Sequence, residues 1–329
     1  MTSPAVCKRA LCRFGAQDSF EMLHKIPPFL KSGDCIGIAA TARWVSQEQL
    51  QPAIDLFASW GLRVKVAEQV HTRHFQLAGT AAERGNGLQQ LLDDPEVMAI
   101  VIARGGYGTV QMVDAIDWAS FLRSPKWIAG YSDITVLHAH LNTRGFATIH
   151  SSMPISFPDA TPEAIENLRK ALFGELESFS SEEDAQVEEV SGYLMGGNLS
   201  VLYSILASES WRPIDDVILF VEDVDEMLYH LDRMLWGLYR AGALRGVKAL
   251  VCGGFTQMKD NTTEFRFPAD NPWGQTEREI LADIGRKLQI PVVFGFPAGH
   301  QSDNRAFYLG RKVSLKTLHS KPTLTYQQP

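Results

Sequence analysis

The stretch WIAGYSDITVLH, residues 127–138, runs an apolar segment into Gly130, sets a serine at 132 and continues into an amphipathic helical pattern. A hydroxyl on a sharp strand-to-helix turn is one way to present a serine nucleophile. It is equally a helix cap, because Ser and Asp are preferred at helix starts. The two readings separate only if the serine has partners elsewhere. A nucleophilic Ser132 needs a base to take its proton and an acid to orient that base. Among the nine histidines, His300 follows the apolar run IPVVFGF through PAGH, in glycine-containing chain beyond a strand. Loops on rigid scaffolds are where catalytic groups concentrate. Glu222 terminates the apolar run of DVILFVEDVDE, so a strand-end carboxylate is available to hold an imidazole. The order Ser132, Glu222, His300 is the Ser…acid…His order of α/β-hydrolases, but the GxSxG elbow is absent, since Ile134 stands two residues after the serine. On residue types alone, a capping serine, a solvated acidic cluster and a loop histidine remain the alternative.

Acyl transfer through a tetrahedral intermediate also needs preorganised N–H donors. The N–H of Asp133 opens a helix N-terminus, where donors are unpaired and the dipole favours anions. The glycines of RGGYG, residues 104–108, can supply a second donor because glycine allows close backbone approach. As a phosphate cradle RGGYG is weak: it has neither the Lys-Ser/Thr of a P-loop nor GxGxxG spacing. Arg104 is placed to meet a substrate carboxylate; the alternative is a stem packed on the rim with a solvated charge. His71 and His74 (HxxH) and His138 and His140 (HAH) are read as ordinary histidines, because i and i+2 on a helix face apart and HxxH gives two ligands at most. No metal site is expected. Asp223, Asp225 and Glu226 read as solvated or structural acids.

The elements that must position these groups are set by periodicity. CIGIAAT, LRVKVAEQV, VMAIVIAR, KWIAGYS and FATIHSS read as strands, separated by helical patterns from Ser46, Thr80, about Thr109 and Asp133. Such alternation implies a parallel sheet covered on both faces, with ligands beyond the strands' carboxyl ends. RGGYG and GYSD both fall on that rim. A polar stretch, 166–190, reads as a linker between an N-terminal domain, 22–165, and a C-terminal domain, 191–329. In the second half, GYLMGGNLSVLYSILAS reads as a glycine-rich turn into a helix, DVILFVEDVDE, VKALVCGGF and IPVVFGF as strands, Glu226 to Arg240 as a helix, and the C-terminal segment as hairpins. Residues 1–21 differ in character from the rest of the chain, Met22 would make a natural start, and the segment is expected to be a poorly ordered extension.

Composition sets limits. The chain of 329 residues is 45% hydrophobic and 21% charged, with a formal net charge of −7, so it offers no basic footprint for nucleic acid. Its four cysteines, Cys7, Cys12, Cys35 and Cys252, form no CxxC pair, which favours a reducing compartment over a disulfide framework. No apolar run is long enough for a transmembrane helix, and the N-terminus lacks a secretory h-region.

Six segments in order, PPFLKSGDCIGIAATAR, ARGGYGT, WIAGYSDITVLH, MGGNLSVLYS, FVEDVDEMLYHLDRML and FGFPAGH with DNRA, make the chain from Pro27 onward resemble the L,D-carboxypeptidase (muramoyltetrapeptide carboxypeptidase) family, serine peptidase family S66. The resemblance implies a Rossmann-like or flavodoxin-like parallel-sheet N-terminal domain and a smaller β-rich α/β C-terminal domain. It implies a cytoplasmic serine carboxypeptidase of cell-wall recycling that cuts the L,D-peptide bond before the C-terminal D-alanine of murein tetrapeptides. The family's nucleophile falls on Ser132, its acid on Glu222, its histidine on His300 and its oxyanion donors on the backbone at Gly106 and Asp133. It further implies a homodimer needing no metal or cofactor and no membrane or nucleic-acid partner. Many members carry Ala-Pro-Ser after the first strand, where this chain has AATAR, which changes the rim near Arg43. Two alternatives remain at this point: a microcin-C-immunity-type peptidase acting on aminoacyl-nucleotide conjugates, with Trp211 or Trp273 as the platform for the base, and a non-catalytic small-ligand module.

Overall fold

The computed structural model describes residues 25–212 and 214–327; the expected extension 1–21 lies outside the described residues. Strand β1 (Cys35–Ala39) is apolar and buried at every position, as a strand covered on both faces must be. With β2 (Arg63–Val66), β3 (Val97–Ile102), β4 (Trp127–Gly130) and β5 (Thr148–His150) it forms a parallel sheet in the order β2-β1-β3-β4-β5. This is the flavodoxin-like order, and the order reverses between β1 and β3, which opens a crevice at their carboxyl ends. Helix α1 (Gln47–Ser59) starts at a capping box of Ser46 and Gln49, and α2 (Ala81–Asp93) at one of Thr80 and Glu83. The helix expected from Thr109 is instead two short 3₁₀ turns, Thr109–Gln111 and Val113–Ala115, before α3 (Ala119–Arg123). The buried Arg84 draws that segment in by binding the Gly108 carbonyl and the Gln111 side chain. A 3₁₀ turn, Ser132–Ile134, leads into α4 (Thr135–Asn142).

Helix α5 (Pro162–Phe173) comes next, capped by Thr161 and closed by Gly174 at φ +80°. The remaining elements are β6 (Ser178–Ser180), β7 (Val190–Asn198), α6 (Leu199–Ser204), β8 (Val217–Val224), α7 (Leu228–Arg240), β9 (Val247–Thr256), α8 (Glu277–Leu288), β10 (Val292–Val293), β11 (Phe307–Leu309), β12 (Arg311–Leu318) and β13 (Lys321–Tyr326). The second sheet runs β10-β9-β8-β7-β12-β13-β6, parallel from β10 to β7 and antiparallel beyond. The stretch 166–190 thus contains most of α5 and the edge strand β6. Strand β11 crosses over and pairs antiparallel with β5, so the C-terminal half completes the first sheet. The glycine-rich turn expected in MGGN is the end of strand β7. A Cβ on Gly196 would lie 1.9 Å from the Phe220 carbonyl oxygen, and one on Gly197 2.4 Å from Thr135 Oγ1, so these glycines serve close packing rather than reversal.

One apolar core joins the two sheets, taking in Ile149 from the first, Leu194 and Phe220 from the second, and the crossing Phe307. A second core lies on the other face of the second sheet, where Leu231 and Met234 of α7 and Ile280 of α8 cover Leu219, Val221 and Leu250. Among the described residues no helix is long and apolar enough to cross a membrane.

Candidate active site

Strand β4 ends at Gly130, whose φ of +157° leaves no room for a side chain: a Cβ there would lie 2.9 Å from Ile134 Cγ1. Two residues later Ser132 itself adopts φ +63°. A non-glycine residue in this left-handed region costs roughly 1–3 kcal/mol and persists only where its surroundings enforce it. The result is the strained strand-to-helix corner that exposes a serine hydroxyl, reached without the GxSxG pattern.

The structure brings the three sequence-selected side chains together from both sheets. Ser132 Oγ lies 3.1 Å from His300 Nε2, and His300 Nδ1 lies 2.7 Å from Glu222 Oε2. The same Glu222 oxygen accepts the backbone N–H of His300 at 3.2 Å, so it fixes the loop as well as the ring. A carboxylate only accepts, which puts the proton on Nδ1 and leaves Nε2 as the acceptor facing the serine. Glu222 is fully buried, and its Oε1 has no hydrogen-bond partner among the described residues. Burial opposes the His300 imidazolium, but the charge and hydrogen bond of Glu222 outweigh it and raise the ring's pKa above the ordinary histidine value. Gly299, at φ +106°, permits the approach: a Cβ there would lie 2.7 Å from Glu222 Oε2. Its N–H is held by Asn304 Oδ1 at 2.8 Å.

Asp223, the neighbouring acid, bonds elsewhere. Its carboxylate accepts from Asn198 Nδ2, from the N–H and hydroxyl of Ser200 and from the Val224 N–H, which ties β8 to the start of α6. Burial, then the charge of Glu222, pushes its pKa up to about 6.

The loop 104–108 lies against Ser132: a Cβ on Gly105 would lie 3.3 Å from Ser132 Cβ. Gly106 is exposed, with φ +114°. The buried Asp133 carboxylate accepts the Thr109 N–H at 2.9 Å and so locks this loop to the serine turn. Arg84, fully buried, binds the carbonyls of Thr41, Gly79 and Gly108 and supports the loop from below. Arg104 is half-buried, with Nη1 3.5 Å from the Trp44 carbonyl oxygen. The side chain of Arg43 lies over Gly106, its Nε 2.8 Å from where a Cβ would sit. Neither arginine makes an ion pair among the described residues, and burial followed by the charge of Arg43 lowers the Arg104 pKa. On the other side, a pocket of about 450 Å³ is lined by His300, Tyr131, Ser152, Ser156, Asp159 and Gln257 together with neighbouring chain.

Sequence reasoning passed over several residues that shape this site. Tyr131 packs its ring 4.9 Å from that of His300. His150, at the end of β5, is fully buried, stacks on Phe307 at 4.7 Å and has neither ring nitrogen hydrogen-bonded among the described residues; burial holds its pKa far below the ordinary value. Arg84 and Asn304 gave no signal, because a lone Arg in a helix and a lone Asn in a loop have ordinary surface readings. The histidines of HAH and HxxH have separate partners. His138 is bonded to Thr148 and the Gly130 carbonyl, His140 to Ser210, and burial lowers both to about 4. His71 contacts the Val45 carbonyl and His74 the Phe75 ring. Among the described residues no group of three or more His, Cys, Asp or Glu is placed to hold a metal ion.

Comparison with known proteins agrees with this architecture. Residues 36–151 match the LD-carboxypeptidase N-terminal domain and residues 191–315 the LD-carboxypeptidase C-terminal domain. A probable murein peptide carboxypeptidase of Bacillus subtilis is 32% identical over 309 residues, 91% of this chain and 93% of that protein. The crystal structure of a muramoyltetrapeptide carboxypeptidase from Oxalobacter formigenes superimposes with a TM-score of 0.78 at 28% identity, covering 89% of this chain and 99% of that one. The microcin C7 self-immunity protein MccF, solved with aspartyl sulfamoyl adenosine, shares the fold at a TM-score of 0.79 and 21% identity, covering 92% and 98%. With both domains matched in order across more than half its length, the chain belongs to the L,D-carboxypeptidase family and is a serine-type carboxypeptidase.

Proposed function

We propose that the protein hydrolyses the L,D-peptide bond preceding a C-terminal D-alanine in murein tetrapeptides. The observation that carries this reading is the hydrogen-bonded chain Ser132–His300–Glu222 on a strained corner beside the loop at Gly106. Ser132 Oγ attacks the scissile carbonyl carbon as His300 Nε2 takes its proton. The oxyanion is held by the backbone N–H groups of Gly106 and Asp133. Glu222 keeps the Nδ1–H tautomer and offsets the imidazolium charge. The intermediate collapses with His300 protonating the leaving amine, D-alanine departs, and a water activated by the same ring releases the acyl group from the serine. Arg104, with Arg43 beside it, is assigned the terminal carboxylate of the substrate, since an unpaired guanidinium at a desolvated rim is a carboxylate partner. A homodimer working in the cytoplasm on recycled muropeptides belongs to the same reading.

The test is turnover of a synthetic tetrapeptide ending in D-Ala against its L-Ala analogue. Release of D-Ala with little turnover of the L-Ala peptide is expected. Equal turnover refutes the stereochemical assignment, and failure of a fluorophosphonate probe to label Ser132 in folded protein refutes the enzymatic one.

A further inference from the structure

Of the two tryptophans singled out as platforms, Trp211 lines an enclosed space against the core with Leu219 and Val247, whereas Trp273 is 42% exposed. Trp273 lies on the long loop between β9 and α8, where with Tyr229, Phe267, Asn261, Asn271 and Pro272 it lines an open hollow of about 550 Å³. We propose that this hollow is a carbohydrate subsite taking an uncharged pyranose ring on the glycan side of the substrate, which rests on the function proposed above.

Three observations carry it. The first is place. Val224 and Gln257, at the ends of β8 and β9, line the pocket that contains His300. The chain running on from these two strand ends supplies Tyr229 and residues 261–273 of the hollow. The two loops are stitched together by the bridge Met227–Lys259 and by Leu228 N–H to the Lys259 carbonyl at 2.9 Å. The hollow is therefore built on the continuations of two strands whose ends border the His300 pocket.

The second is chemistry. A pyranose presents faces of C–H bonds and a rim of hydroxyls. Tyr229, Phe267 and Trp273 offer aromatic surface, and none of the three stacks on another. The side-chain amides of Asn261 and Asn271 make no hydrogen bond among the described residues; Asn261 Oδ1 is buried, while the exposed Asn271 amide offers both donor and acceptor to hydroxyls. Among the described residues no charged side chain lines the hollow itself, the nearest cation noted being Arg233, whose guanidinium lies 5.4 Å from the centroid of the Tyr229 ring, so a phosphate-bearing ligand would have no direct ion-pair partner in the lining. That argues for a neutral sugar over a nucleotide.

The third is preorganisation. The loop is pinned by its own acids: Asp260 Oδ1 accepts the N–H groups of Asn261 and Trp273, and Asp270 Oδ1 accepts that of Thr263. Asn271 N–H bonds the Asn261 carbonyl at 2.7 Å. A platform fixed before binding loses less entropy when the ligand arrives.

Two measurements on the full chain test it. Saturation-transfer NMR monitors binding of N-acetylglucosamine, a neutral pyranose, to Ser132→Ala protein, with and without Trp273→Ala. In parallel, kcat/KM is compared for a tetrapeptide with and without the muramoyl sugar, in wild type, Trp273→Ala and Trp273→Phe. The expected result is sugar binding lost with Trp273→Ala and a wild-type preference for the sugar-bearing peptide of roughly fivefold, carried by KM. The preference should fall toward one in Trp273→Ala and be largely kept in Trp273→Phe. No sugar binding, a preference untouched by Trp273→Ala, displacement of the sugar by adenosine, or conversion of a dimer to a monomer by Trp273→Ala overturns the proposal; the last would mean that a second copy covers the hollow. Peptide turnover without sugar binding sinks the subsite alone. Sugar binding without turnover of either peptide sinks the peptidase reading and leaves the subsite.

Discussion

Glu222→Gln removes a charge while keeping the shape of the side chain, and the surroundings of Glu222 dictate how glutamine will sit. Both groups at Oε2 are donors, the His300 ring N–H at 2.7 Å and its backbone N–H at 3.2 Å, whereas Oε1 has no partner among the described residues. Glutamine therefore turns its carbonyl oxygen toward His300 and its NH₂ into the empty position. The ring tautomer survives, and what is lost is the charge opposite the imidazolium. A unit pair about 4 Å apart at an effective dielectric of about 20 is worth about 4 kcal/mol, of which a neutral hydrogen bond retains about 1. The remaining 3 kcal/mol or so lowers kcat/KM roughly a hundredfold. The opposite amide orientation would reverse the tautomer and cost on the order of ten-thousandfold, so the magnitude itself reports which orientation is adopted. The NH₂ left buried without an acceptor should also cost about 1–3 kcal/mol of stability.

The assay is kcat/KM for D-Ala release across pH, with folding checked by circular dichroism, on Glu222→Gln and Asp223→Asn side by side. The ring must be neutral to act as base, so activity rises with pH through the His300 pKa. Glu222 raises that pKa against the effect of burial. Without its charge the acid limb of the profile moves to lower pH, even as the plateau falls. Asp223→Asn disturbs the contacts to Asn198 and Ser200 and should lower stability more than rate. If Asp223→Asn is the severe variant, or if the acid limb of Glu222→Gln stays in place, the assignment of Glu222 as the orienting acid is wrong.

Ser132→Ala should cut kcat at least about a thousandfold with the fold retained; near-normal D-Ala release by the purified variant removes Ser132 from the mechanism. EDTA should leave the rate unchanged, and a loss restored by zinc would require a metal step and return attention to His71 and His74. Gly299→Ala places a methyl group at a φ of +106° and 2.7 Å from Glu222 Oε2. It should lower thermal stability by about 1–3 kcal/mol and reduce kcat more than it changes KM, and a variant with wild-type kcat would show that the His300 loop tolerates displacement.

Much of the first sheet was readable because its strands are buried on both faces. CIGIA, VMAIVI and WIAG are unbroken apolar runs, and a run of that kind between helical periods has few other readings. The candidate triad stood out for a related reason: Ser132, Glu222 and His300 interrupt or follow such runs, and a polar group at the end of a buried strand is conspicuous; the structure brings the three within hydrogen-bond distance. Periodicity is blind to whatever depends on contact between distant segments. The turns after Gly108 depend on Arg84, which sits 24 residues earlier in a helix of ordinary composition. Strand β6 is three residues long and has no period of its own; it exists because β13 offers an edge.

The seam between the sheets shows why the site cannot be inferred from either half. Ser132 stands on the first sheet, and Glu222 and His300 on or beyond the second, so the 3.1 Å contact at the serine measures how the two are docked. The docking is set close by. Gly197 has no side chain because Thr135, three residues after Ser132, occupies the space, and Thr135 Oγ1 accepts the N–H of Asn198 at 2.9 Å. Asn198 lies in register with Glu222 on the neighbouring strand. One hydrogen bond and one missing Cβ thus connect the serine's helix to the acid's strand. Behind them the crossing strand β11 puts Phe307 against both Phe220 of β8 and His150 of β5. Local patterns of apolar residues say that each sheet has a buried face. They carry no information about the angle or spacing at which two such faces meet, and the proposed chemistry depends on that spacing.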